Sequence, residues 1–96
     1  MTGTSRTSEG LDPRRRRVLY RAWHRGTREM DFILGQFVNA EIERMSEADL
    51  DVFEHLLEAQ DSDLYEWVSG RVKTPSEYDT DIFRRLLAFQ ATRRTD

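Results

Sequence analysis

The run "MDFILGQFVNAEIERM", residues 30–45, decides the fold class. Its apolar residues Met30, Ile33, Leu34, Phe37, Val38, Ile42 and Met45 recur at steps of three and four. That spacing lines one side of a helix with 3.6 residues per turn, the strongest periodic signal in the chain. Gly35 lies on the flank of the stripe and predicts a bend or a close helix crossing.

Upstream, Asp12-Pro13 reads as a helix start. Aspartate caps, and proline suits the first helical position because its missing N–H had no intrahelical partner anyway. A helix to about Trp23 then presents Val18, Leu19, Ala22 and Trp23, and Gly26 ends or turns it. Downstream, Ser46-Glu47-Ala48-Asp49 resembles a capping box and opens a helix carrying Leu50, Phe53, Leu56 and Leu57. A short helix follows, capped by Asp61 or Ser62, with Leu64, Trp67 and Val68 inward and Gly70 at its close. The last helix holds Ile82, Phe83, Leu86, Leu87 and Phe89, and begins at Thr74-Pro75 or at Asp79-Thr80. Five helices with short loops predict an all-α single-domain bundle. Its expected limits are residues 12–92, between a disordered tail over 1–11 and a polar tail over 93–96.

At 96 residues the chain has room for one domain and a modest core. It has no cysteine, which excludes disulfides, thiolate metal sites and cysteine nucleophiles. No apolar run reaches the ~18 residues that span a membrane, and the N-terminus lacks an apolar signal core. Its serine, threonine and arginine are reminiscent of a mitochondrial presequence, but Glu9 and Asp12 oppose that reading. A cytoplasmic protein is expected.

The net charge of −3 hides an asymmetry. Residues 1–28 carry eight arginines against two acids, a balance of +6, whereas residues 29–96 carry seven basic and sixteen acidic groups, a balance of −9. Such a basic head suits either an anionic partner near the first helix or packing against the chain's own acidic helices. Charge alone favours the second.

Little in the chain carries catalytic chemistry. His24 and His55 lie on different helices without ligand spacing, so no metal site is expected. The carboxylate pairs Glu41/Glu43, Asp49/Asp51 and Asp61/Asp63 fall at helix starts and polar faces, where capping and solvation explain them. There is no glycine-rich phosphate loop, so no bound cofactor is expected, and an enzyme is not. Four consecutive arginines, Arg14 to Arg17, point around a helix rather than along one face, which disfavours phosphate tracking. A small helical nucleic-acid-binding or regulatory protein using that helix is the alternative reading.

One motif is left, "WHRGTRE", residues 23–29. In a helix starting near Thr27, Glu29 falls in the first turn, where the helix dipole favours a carboxylate, and it is placed to pair with Arg25. These reasons suffice for a stable corner, but not for its density of arginine or for the adjacent Trp23 and His24.

"RGTRE" resembles the Arg-Gly-x-x-Glu motif of the succinate dehydrogenase FAD assembly factors, small helical proteins of bacteria and mitochondria. "MSEADLDVFEHLLE" follows at the family's distance. "DSDLYEWVSG" is similar to its Asp-x-Asp-Leu-aromatic-x-Trp segment, so the resemblance spans about Arg17 to Gly70. It implies a chaperone without catalytic residues. Such a protein binds the flavoprotein subunit of succinate dehydrogenase, and sometimes of fumarate reductase, and promotes covalent attachment of FAD. Partners of nucleic acid or membrane are not implied. Carried over by position, Arg25, Gly26 and Glu29 are the partner-binding residues, with Trp23, His24 and Arg28 flanking them. The arginine-rich lead-in and the tail depart from the pattern, and no role is carried onto them.

Overall fold

The computed structural model describes residues 9–93. Five α-helices form among them: α1 (Pro13–Trp23), α2 (Arg28–Glu41), α3 (Glu47–Leu57), α4 (Asp61–Ser69) and α5 (Asp81–Arg93). A 3₁₀ turn, Ile42–Arg44, joins α2 to α3, and no strand occurs among the described residues. The all-α bundle expected from periodicity is therefore present.

The helix starts are set by local chemistry. The Asp12 carboxylate accepts from the Arg15 backbone N–H and Pro13 occupies the first turn. Thr27 caps α2 through the Met30 N–H. At α3 the capping box is complete: Asp49 N–H donates to Ser46 Oγ at 3.0 Å, and Ser46 N–H to the Asp49 carboxylate at 3.1 Å. Thr80 caps α5 through the Phe83 N–H at 3.2 Å, which settles the two candidate starts. Gly70 closes α4 with φ +82°, the left-handed geometry that lets Arg71 N–H reach Glu66 O.

Two expectations are corrected. Asp61 is not the cap of α4: Gln60 holds that position without a side-chain bond, and Asp61 is the first helical residue, its carboxylate engaged elsewhere. The second helix also stops at Glu41 rather than running to Met45. Ile42 and Met45 are nevertheless buried, so the apolar stripe survives the change of winding. Arg15 stabilises this ending. Its Nε donates to Ile42 O at 3.1 Å, beside the long 3₁₀ bond from Met45 N–H, and its Nη2 to Met45 O.

The core runs from Val18, Leu19 and Ala22 of α1 through Leu34, Phe37 and Val38 of α2 and Leu50 and Phe53 of α3 to Phe83 and Leu86 of α5. Of the tail expected over 1–11, residues 1–8 lie outside the described residues. Leu11 departs from that expectation: it is buried in the core. Of the polar tail expected over 93–96, residues 94–96 lie outside the described residues, and Arg93 ends α5. Gly35 marks a close crossing of α1 and α2. A Cβ there would stand 2.3 Å from Trp23 Cδ2, so only a glycine admits the indole.

Candidate functional site

The corner between α1 and α2 is built by bonds reaching into it from α2, α3 and α4. The Asp31 carboxylate of α2 folds back and accepts from the backbone N–H groups of Arg25 and Gly26, the latter at 3.3 Å. Gly26 has φ +111°, a conformation that strains any side-chain-bearing residue. Nothing lies within 4 Å of where its Cβ would be, so its open side faces outward.

Arg25 turns inward, with its side chain 10% exposed. Its Nε donates to Asp61 Oδ1 at 2.8 Å, Nη2 to Ala59 O at 2.6 Å, and Nη1 to Leu57 O. One guanidinium thus closes the C-terminal end of α3, where unpaired carbonyls favour a cation, and ties it to the first residue of α4. Thr27 Oγ1 adds a bond to Asp61 Oδ2 at 3.2 Å. These contacts correct the expectation that Arg25 presents its charge outward or pairs with Glu29. Three of its five donors are committed within the fold, so it positions the corner rather than covering it.

The other expected residues divide in the same way. Trp23 is buried, its ring against Gly35 and its Nε1 donating to Asn39 Oδ1 at 3.1 Å, so it serves the core and not a flanking contact. His24, Gly26, Arg28 and Glu29 are exposed. His24 stacks on Tyr20 with ring centroids 3.9 Å apart, and its Nδ1 lies 2.8 Å from Tyr20 O. A carbonyl only accepts, so Nδ1 carries the proton. No ion-pair partner for Arg28 or Glu29 occurs among the described residues.

A shallow cleft of about 300 Å³ runs from this corner to the start of α4, between Thr27, Glu29, Met30, Asp61, Ser62 and Tyr65. It continues as a patch bounded by Arg28, Phe32, Ile33 and Tyr65. Phe32 is 50% and Tyr65 38% exposed, two of the few large apolar side chains left in solvent. Sequence reasoning assigned neither. The available signal was that Phe32 falls off the buried stripe of α2, an aromatic where a polar residue belongs.

The arginine run is split by the packing. Arg14 binds three carboxylates of α3: Glu47 at 2.7 Å, Asp51 at 2.5 Å and Glu54 at 2.9 Å. Arg15 binds Asp12 at 2.9 Å besides the carbonyls at the end of α2. Half of the run thus packs on the chain's own acidic surface, as its charge balance suggested. The Arg14 guanidinium holds the Glu54 carboxyl below its usual value. At the end of α2, burial pushes the Glu41 carboxyl up, but hydrogen bonds from Arg85 and Arg44 bring it below the usual value. Among the described residues, no group of three His, Asp or Glu side chains is arranged to hold a metal ion, and no helix is long and apolar enough to cross a membrane.

Known proteins share this pattern. The family model described as flavinator of succinate dehydrogenase matches residues 16–90, which include the corner and all five helices in whole or large part. The FAD assembly factor SdhE of Acetobacter pasteurianus is 42% identical over 59 residues, 62% of this chain and 54% of its own. The mitochondrial succinate dehydrogenase assembly factor 2 of Saccharomyces cerevisiae is 37% identical over 62 residues, 65% of this chain and 38% of its own. Its counterpart in Debaryomyces hansenii is 36% identical over 62 residues, 65% of this chain and 44% of its own. The matched region therefore spans about half or less of these relatives' lengths. With the match covering most of the chain, the protein belongs to the flavinator of succinate dehydrogenase family.

Proposed function

We propose that this protein is an assembly chaperone. It binds the flavoprotein subunit of succinate dehydrogenase, and of fumarate reductase where that enzyme is present, and promotes covalent attachment of FAD. The observation that carries this reading is the construction of the Arg-Gly-x-x-Glu corner. Arg25 is spent inside the fold to hold it, and Gly26, Arg28 and Glu29 are left outward beside an apolar cleft. Gly26 lets a partner backbone approach closely, since no Cβ stands in the way. Glu29 offers a carboxylate and Arg28 a guanidinium without ion-pair partners among the described residues, and Phe32 and Tyr65 an apolar bed for a side chain of the partner.

The bond-forming chemistry belongs to the flavin and the protein that accepts it. This chain contributes orientation: a rigid corner that holds the flavoprotein in a productive arrangement lowers the barrier without a catalytic side chain. Its place of action is the compartment where the flavoprotein folds, the cytoplasm in a bacterium.

The test is the fluorescence of covalent flavin in denaturing gels from a strain lacking this protein, complemented with variants. Gly26→Glu places a side chain on the contact face, and Glu29→Ala removes an exposed group with no ion-pair partner among the described residues. Both are expected to lose most of the flavoprotein signal while helical circular dichroism is retained. Full flavinylation with both variants would show that the corner is not the contact.

A further inference from the structure

Arg14 and Arg15 turn toward α3 and the end of α2, and the exposed side of α1 that continues beyond Arg14 has a composition of its own. Arg17, Tyr20, Arg21 and His24 are exposed and recur at i, i+3, i+4 and i+7, one face of the helix. The buried face follows the same rhythm through Arg15, Val18, Leu19 and Ala22, so the two faces are opposed. The four arginines in a row therefore do not spread charge evenly: two are neutralised internally. The outer face keeps Arg17 and Arg21, neither in a direct ion pair among the described residues, although Arg21 also attracts the Glu54 carboxylate of α3 at longer range. Between them stands Tyr20, 63% exposed and stacked on His24, a flat apolar platform flanked by guanidinium groups.

We infer that this face is a second contact surface, which takes an acidic segment of the flavoprotein partner. This rests on the reading that the flavoprotein is the partner. The choice of occupant follows from charge and length. The four side chains cover about 10 Å of helix, enough for two or three carboxylates on one turn of a partner helix or loop and short for tracking a nucleic-acid backbone. Residues 29–96 carry a balance of −9 that repels a long polyanion, whereas a local acidic patch meets only the basic face. His24 lies between this face and the corner, so the two surfaces are continuous and one partner can cover both.

The test is direct binding of the full chain to purified flavoprotein subunit at about 50 mM and about 500 mM salt. It compares wild type, the double variant Arg17→Glu/Arg21→Glu and the control Lys73→Glu, an exposed charge reversal away from α1. The double variant is expected to bind about tenfold more weakly at low salt, with the difference shrinking at high salt, because exposed charges act through screened attraction. Lys73→Glu is expected to bind like wild type. Binding of the double variant within twofold of wild type at both salt concentrations overturns the second surface and leaves the corner standing. An equal loss in Lys73→Glu overturns it too, since net charge alone would then explain the effect. If wild type does not bind the flavoprotein, the partner assignment itself fails and this surface with it. Salt-dependent binding of a short single-stranded RNA that the double variant loses would reassign the face to nucleic acid.

Discussion

The two ends of α1 are each pinned by arginine, and they are pinned differently. At the start, Arg14 is 24% exposed and reaches three carboxylates of α3, two of them largely in solvent. At the finish, Arg25 is shielded and divides its donors between Asp61 and the carbonyls of Leu57 and Ala59. Exposed ion pairs contribute little each, because water competes and two long side chains must be held still. A shielded, fully hydrogen-bonded cation is costly to remove, since its partners are left buried and unpaired. The same residue type is thus a surface decoration at one end and a structural pin at the other.

Substitutions at the finishing end are expected to have the largest effects. Arg25→Ala should destabilise the fold by about 2–4 kcal/mol, lowering the melting temperature by roughly 10–20 °C. Arg25→Lys should recover little, because an ammonium group cannot fork toward a carboxylate and two carbonyls together. A melting curve for Arg25→Ala that overlays wild type would erase the contrast between the two ends. Loss of flavinylation in that variant is expected to track loss of stability, whereas in Glu29→Ala it should far exceed the roughly 0.5 kcal/mol that a first-turn carboxylate contributes.

Gly35→Ala should cost about 2 kcal/mol at the crossing beside Trp23. The indole that would have to move is buried and hydrogen-bonded to Asn39. Chemical denaturation would read this, and stabilisation by the alanine would mean that α1 and α2 are looser than the described contact. Gly26→Ala should cost about 1 kcal/mol, from backbone strain alone, because space for the methyl group exists.

The starting end is expected to respond least, in a way that depends on pH and salt. Glu54 has a folded pKa below its ordinary value near 4.5, chiefly through its hydrogen bonds with Arg14. The unfolded chain therefore binds more protons in that window. The contribution is fully present above about pH 4.5 and is lost as pH falls through the lowered folded value. Arg14→Gln should flatten this acid limb by lowering stability modestly at neutral pH, where the contribution is present, and should converge with wild type in acid and in about 1 M salt. Glu41, held low by Arg85 and Arg44, should keep its own part of the limb in that variant. An unchanged acid limb in Arg14→Gln would show that the Arg14 cluster does not couple to folding.

Much of the architecture was legible in the residues. The stripe from Met30 to Met45, the capping box at Ser46, the proline-led start at Asp12 and the glycine stop at Gly70 each use bonds or spacings within four or five residues. The candidate site was half legible. The motif located the corner and its exposed members Gly26, Arg28 and Glu29, but not the inward turn of Arg25, the burial of Trp23 or the cleft between Phe32 and Tyr65. The partners that decide those points lie far along the chain: Asp61 is 36 residues from Arg25, and Glu54 is 40 from Arg14.

By itself, then, the sequence determined the helices, the caps at Asp12, Ser46 and Gly70, the buried stripes and, through its motif, the place of the corner. The physical reason is that helix periodicity and capping are local. The tertiary structure alone decided which arginines pin the fold and which face a partner. A guanidinium goes where acceptors are, and only the packing of α3 against α1 and of α4 against α2 brings those acceptors within reach.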